Sequence, residues 1–158
     1  MARASFLVRN AIVAALYASI ALLLPATAVA NYRLATALYV LAAFDRQLIL
    51  GLAVGNALAG IPQGPIDVGL GFGIGALTAG TCAALPVGAA PLAVLVLPTL
   101  FVPLWLALLF HRPYAMVLPV VATGQALSAA LAWIAVIPAG RRFFAASRQA
   151  RQAVQKDP

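Results

Sequence analysis

Charge is what this chain of 158 residues has least of. It holds three acidic side chains (Asp45, Asp67 and Asp157), one histidine and one cysteine, and charged residues make up 8% of it, where an ordinary soluble domain carries roughly 25%. A single cysteine, Cys82, allows neither an intrachain disulfide nor a cysteine metal cluster. Its apolar neighbours mark it as a packing residue. The four serines, Ser5, Ser19, Ser128 and Ser147, stand in no G-x-S-x-G context and have no base near them in sequence. No Walker A lysine motif is present, so the chain does not itself hydrolyse ATP. An intramembrane hydrolase and a metal enzyme are both excluded on this inventory, and neither catalytic activity, a metal nor a cofactor is expected.

What the chain does have is apolar length. Hydrophobic residues are 65% of the sequence and the mean hydropathy is +1.04, values that a soluble globular protein does not reach. A helix needs about 20 apolar residues to cross the hydrocarbon core, which leaves room for five to seven helices in a single polytopic membrane domain. The ten basic residues give a net charge of +7. Half of them (Arg141, Arg142, Arg148, Arg151 and Lys156) lie in the last 18 positions, and Arg3 and Arg9 lie at the other end. Charge placed at the flanks of an apolar region sets topology and forms no patch for nucleic acid.

Six apolar segments can be delimited. The first runs from about Phe6 to Ala30, and Ala28-Val29-Ala30 at its end also fits the cleavage site of a secretory signal; the membrane character of everything downstream favours a first spanning helix. Leu34 to Phe44 and Leu48 to Ile61 are each short for a span. A turn at Asp45-Arg46 makes them two short antiparallel helices, while a single long helix would bury an Asp and an Arg at its midpoint at a cost of several kcal/mol. The first alternative is preferred. Asp67 to Leu85, Pro91 to Phe110 and Tyr114 to Ile137 follow, closed by Pro86 and Gly88, by His111-Arg112-Pro113, and by Pro138 and Gly140. The expected fold is all-α, with a six-helix transmembrane domain over 1–140 and a basic tail over 141–158.

With six crossings both termini share a side. That side carries Arg3, Arg9, Arg46 and the five tail residues, eight basic groups, against Arg33 and Arg112 opposite. The positive-inside rule puts both termini in the cytoplasm of a multi-pass cell-membrane protein. The loops after Ala30, Ile61 and Phe110 then face outward and hold Asn31, Tyr32, Arg33, Gln63, Asp67, His111 and Arg112. The tail, with Phe143 and Phe144 ahead of its basic residues, extends the sixth helix and rests on the anionic inner leaflet.

Polar groups within or beside spans are costly unless partnered. Asn56 in the third segment, Asp67 at the outer end of the fourth and Gln125 in the middle of the sixth serve either as interhelical hydrogen-bonding groups or as contacts to a polar solute. Asp67 has the further alternative of an N-cap. Gly69, Gly71, Gly73 and Gly75 lack the strand context of a dinucleotide fingerprint. On a helix they form two small-residue stripes suited to close packing or to a sliding, ligand-facing surface. In the first helix Ala11, Ala15 and Ser19 form one smooth stripe, and Ala14, Ala18 and Leu22 the next.

Read in order, Arg9-Asn10-Ala11, Ala14-Ala15-Leu16-Tyr17, Tyr32-Arg33-Leu34, Ala37-Leu38, Gly51-Leu52, Gly55, Asp67-Val68, Gly71, Val102-Pro103-Leu104 and Gly124-Gln125 resemble the queuosine-precursor transporter (QueT) family, which are substrate-capture (S) components of energy-coupling factor transporters. The resemblance spans nearly the whole chain and lies in the order and spacing of individually loose motifs. Two positions depart from the family pattern: Thr36 stands where a glutamate is usual, and Pro98 where a polar Asn occurs. The resemblance implies a six-helix subunit that captures a small molecule outside the cell and delivers it with an energising module of one transmembrane coupling protein and two ATPases. It assigns Ala11, Ala14, Ala15 and Ala18 to the contact with the coupling protein, and places the solute under the loops Pro25 to Arg33 and Pro62 to Asp67.

A 7-deazaguanine edge would suit Asp67 as acceptor, Gln125 or Asn56 as amide donor and Trp105 or Tyr32 as a stacking ring. Arg33 then either closes the outer gate on Asp67 or snorkels to the headgroups. Two other readings stay open: a self-sufficient small transporter or channel, for which only Asp45 and Asp67 offer intramembrane charge, and a non-transporting membrane scaffold subunit.

Overall fold

The computed structural model describes residues 2–23, 34–111 and 113–156. Among them there is no strand, and the helical segments follow one another as the apolar runs do. Helix α1 covers Ala2–Leu23, a 3-10 helix covers Leu34–Ala43, and a short 3-10 turn at Arg46–Leu48 leads into α2, Ile49–Ala59. Then come α3, Pro65–Ala84, and α4, Ala90–Phe110. Helix α5, Tyr114–Leu131, passes through a π-turn at Ala132–Val136 into α6, Ile137–Lys156. Four stretches are long and apolar enough to cross a membrane: Ala4–Leu23, Pro65–Ala84, Ala90–Leu108 and Tyr114–Ala146. Between 22% and 39% of each is buried within the chain, so most of their apolar surface faces outward, which in a soluble protein would be a large exposed patch.

The turn expected at Asp45-Arg46 is present. Asp45 caps the Arg46–Leu48 turn, its side chain accepting from the Gln47 N–H at 3.0 Å, and it pairs with Arg9 of α1 at 3.5 Å. The segment before it is a 3-10 helix and not an α-helix, and six of its ten residues are buried. It is the central strut of the bundle, packed against α1, α3, α4 and α5. At about 2.0 Å per residue, against 1.5 Å in an α-helix, a 3-10 helix lets a short run reach further across the bilayer.

The apolar run closes at Pro138 and Gly140, and the helix passes through both into the tail, as expected from the sequence. It runs unbroken from Tyr114 to Lys156, about 64 Å at 1.5 Å per residue, roughly twice the hydrocarbon thickness. Proline lacks an N–H and clashes with the carbonyl one turn back. The wider π-turn just before Pro138 relieves both problems locally. Gly140 is a packing site: a Cβ there would lie 2.8 Å from the Phe44 ring, which stacks on Phe144 with centroids 5.3 Å apart. Trp133 donates its indole N–H to Gly88 O at 2.9 Å, tying the α3–α4 turn to the last helix.

Helices α1 and α2 meet through small residues. A Cβ on Gly51 would fall 2.6 Å from Asn10 O, and one on Gly55 would fall 2.7 Å from Tyr17 Cβ and 2.9 Å from Ala14 O. Asn10 reaches across to accept from the Gly51 N–H at 2.6 Å and donates to Phe6 O within its own helix. The glycine string on α3 divides in two: Gly71 and Gly75 pack on α2 at Asn56 and Ala53, whereas Gly69 and Gly73 have nothing within 4 Å. Substituting Gly55→Leu therefore overpacks a backbone contact, at a cost of roughly 1–3 kcal/mol, while Gly73→Leu is expected to stay within about 0.5 kcal/mol. Unfolding of the two purified variants in detergent tests this, and equal losses would contradict the packing described.

Candidate functional site

The interior polar groups gather on the faces that α1, the 3-10 helix, α2 and α3 turn toward one another. The Tyr17 hydroxyl lies 3.1 Å from the Tyr39 hydroxyl and 3.2 Å from Asn56 Oδ1. With one proton, it donates to the Asn56 oxygen, which has none of its own, and the two hydroxyls share the second bond. Asn56 Nδ2 in turn donates to Gly71 O at 2.7 Å. Gly75 completes the arrangement, because a Cβ there would crowd the Tyr39 hydroxyl at 3.2 Å. A second buried bond runs from Thr36 Oγ1 on the 3-10 helix to Gln125 Oε1 on α5, at 3.0 Å. Ser128 and Thr123 bond their own helix at Gly124 O and Pro119 O. Cys82 turns its thiol to Ala90 O at 3.4 Å and is buried, in keeping with a packing role.

The sequence-predicted residues occupy distinct positions in this interior. Asn56 is at the centre of the tyrosine network and 2% exposed. Gln125 is equally buried and paired with Thr36. Asp67 is buried in the first turn of α3, where the polypeptide folds back from α2 so closely that a Cβ on Gly60 would stand 3.0 Å from Asp67 Oδ2. The N-cap position of α3 itself belongs to Gly64, at φ 115°. Trp105 is half-buried on α4, and its indole N–H is fully enclosed with no hydrogen-bond partner among the described residues. Thr99, also on α4, and Thr78 on α3 likewise have enclosed hydroxyls without a partner. Arg33 and Tyr32 lie outside the described residues, as does the segment Pro25 to Arg33.

The structure thus joins Asn56 to Tyr17 and Tyr39, and Gln125 to Thr36, and leaves Asp67 and Trp105 at separate points of the same helical layer. Tyr17, Tyr39, Thr78 and Thr99 are the interior polar residues that sequence reading passed over. A tyrosine in an apolar helix reads as core; only the helical register, with Asn10, Ala14 and Tyr17 on one stripe of α1, signals which face turns inward. That register also divides the alanine stripes. Ala14 and Ala18 are buried, Ala14 against Gly55 of α2, whereas Ala11, Ala15 and Ser19 face outward. Among the described residues no cluster of His, Cys, Asp or Glu suited to a metal ion is found.

These features define an all-helical polytopic membrane protein with a polar interior. A family model described as QueT transporter matches residues 7–139, and the chain belongs to that family of membrane transporters. Among curated proteins and among solved structures, nothing matches the chain.

The interior network yields a stability prediction. Asn56→Leu removes the acceptor of the Tyr17 hydroxyl and the side-chain donor to Gly71 O and is expected to cost roughly 1–3 kcal/mol, and Tyr17→Phe about 1 kcal/mol. Because the two share one bond, the double variant loses less than the sum. Strictly additive losses in detergent unfolding would show that the hydroxyl and the amide are not coupled.

Proposed function

We propose that this transporter is the substrate-capture subunit of an energy-coupling factor type importer, and that its solute is a 7-deazaguanine queuosine precursor or a related small micronutrient. The observation that carries the reading is the family match over residues 7–139; beside it stand the Trp105 indole N–H and the Thr99 and Thr78 hydroxyls, which are enclosed and have no hydrogen-bond partner among the described residues. In a bilayer such groups are costly to leave unpaired, and a polar solute lodged beside them offsets that cost. Around it, the Asp67 carboxylate is placed to accept from adjacent N–H groups of a guanine-like edge. An amide from Gln125 or Asn56 donates to its carbonyl, and Trp105 offers either its N–H or its ring face. Arg33 completes the outer end by pairing with Asp67 or by anchoring at the headgroups.

The subunit performs no covalent chemistry in this reading. Energy comes from two ATPases acting through a transmembrane coupling protein, for which the outward stripe of Ala11 and Ala15 is a smooth contact face, with Ala14 and Ala18 behind it setting the position of α1 on α2. The charge tally orients the chain in the cell membrane with both termini in the cytoplasm and the Asp67 end outward.

Calorimetric titration of the purified chain with a 7-deazaguanine precursor, with guanine and biotin as controls, tests the substrate. Binding of the deazaguanine that weakens at least tenfold on Asp67→Ala or Gln125→Ala is expected; no binding removes the substrate assignment. Uptake in vesicles is expected only when the coupling protein and ATPases are supplied. Uptake by the chain alone would make it a self-sufficient transporter.

A further inference from the structure

Two buried amides could supply the donor that meets the solute, and the structure leaves only one of them with N–H groups to give. Asn56 is engaged at both ends: its Oδ1 accepts from the Tyr17 hydroxyl at 3.2 Å, and its Nδ2 donates to Gly71 O at 2.7 Å. Gln125 is engaged at one. Its Oε1 accepts from Thr36 Oγ1 at 3.0 Å, and its Nε2 bonds to no described residue, although the side chain is only 2% exposed. A side-chain amide carries an acceptor on one side and two N–H donors on the other, so a bond that fixes the oxygen also fixes where the donors go.

Gln125 is not alone at its depth. It stands eleven residues into α5 from Tyr114, and Thr99 stands eleven residues back along α4 from Phe110. The two helices are antiparallel and in contact, so both residues lie about 16 Å from the turn that joins them. The Thr99 hydroxyl is enclosed and has no partner among the described residues, and the same holds for the Trp105 indole N–H, about 8 Å from that turn. An indole N–H and an amide NH₂ can only donate. The α4–α5 side of the interior therefore holds unspent N–H donors, while the carboxylate of Asp67 belongs to α3. Donors left bare in a bilayer are costly, and a molecule that relieves them has to bring an acceptor.

We propose that Thr36 is a positioning residue for solute recognition: by holding Gln125 Oε1 it commits the Nε2 donors to the bound molecule, and so selects a solute with a carbonyl acceptor on that edge over one with an N–H donor there. The inference rests on the substrate-capture reading above. Thr36 acts through Gln125. It belongs to the 3-10 helix, which packs on α5 as well as on α1, α3 and α4, so the bond comes from an element whose place is set by the whole bundle. Without the hydroxyl, a half-turn of the amide exchanges oxygen for nitrogen at little steric cost, and the site accepts either kind of group.

Calorimetric titration of the full chain in detergent with 7-deazaguanine and with 7-deaza-2,6-diaminopurine, in which an amino group replaces the ring carbonyl, reads the selection as a ratio of affinities. The unaltered chain is expected to prefer the carbonyl compound by roughly a hundredfold. Thr36→Val, of nearly the same volume and without a donor, should lower that ratio by about tenfold or more. Thr36→Ser, which keeps the hydroxyl, should restore it. A merely structural role for Thr36 would weaken both compounds alike and leave the ratio where it was, which overturns the proposal. Gln125→Met keeps the length of the side chain and removes its N–H donors; it should erase the preference to the same extent, and it reads the site even if Thr36→Val folds poorly. An unchanged ratio in Gln125→Met would likewise overturn the proposal. Failure of the unaltered chain to bind either compound would remove the substrate assignment and this inference together, whereas binding with a ratio indifferent to Thr36 would sink the inference alone.

Discussion

In the hydrocarbon core there is no water to complete a hydrogen bond, and the chain has to supply its own partners. Almost every polar feature of this bundle follows from that constraint. Asn10 spends its side-chain oxygen on the Gly51 N–H near the start of α2. Thr81, Thr123 and Ser128 bond carbonyls of their own helices. The π-turn before Pro138 re-routes a backbone that would otherwise be broken. Because these bonds are made by groups that approach closely, the same constraint places glycine at 51, 55, 71 and 75, where a side chain would hold the donors and acceptors apart. Against this pairing, the hydroxyls of Thr78 and Thr99 and the indole N–H of Trp105 stand out as enclosed groups with no hydrogen-bond partner among the described residues.

Much of the architecture was legible beforehand, for reasons that differ from element to element. Long apolar runs bounded by Pro, Gly and charge, such as those around α3 and α4, admit one reading at the length of a membrane span. The Asp45 turn was legible because an Asp and Arg pair at mid-membrane costs more than a turn. The 3-10 form of Leu34–Ala43 was not, since its apolar composition suits either helix and its pitch is imposed by neighbours on all sides. The run of the last helix into the tail was legible, but the π-turn that carries it past Pro138 and the seat that Gly140 gives the Phe44 ring were not, because both are set by packing. At the site, Asn56, Gln125 and Asp67 were visible because polar groups are rare in such a sequence. Tyr17 and Tyr39 were not, because a tyrosine serves core packing and hydrogen bonding equally well until its neighbours are known. The alanine stripes show the same limit. Composition could not separate Ala14 and Ala18, spent on α2, from Ala11 and Ala15, left on the surface.

The two ends of the bundle are built on different principles. At the Asp67 end, short turns join α2 to α3 and α4 to α5, and Asp67 is buried in the first turn of α3. At the Asp45 end, apolar walls stand apart around a cleft whose only charged lining is the Arg9–Asp45 pair.

The central 3-10 helix also has a mechanical consequence. Ten residues at about 2.0 Å each extend roughly 20 Å, and the same residues wound as an α-helix would extend roughly 15 Å. A change of winding in Leu34–Ala43 would therefore alter its length by about 5 Å. Residues three apart are aligned at three per turn and fall out of alignment at 3.6, so any rewinding would rotate Thr36 away from Tyr39 and uncouple the grip on Gln125 from the grip on Tyr17 and Asn56. The winding of this one segment keeps the two halves of the polar interior in register.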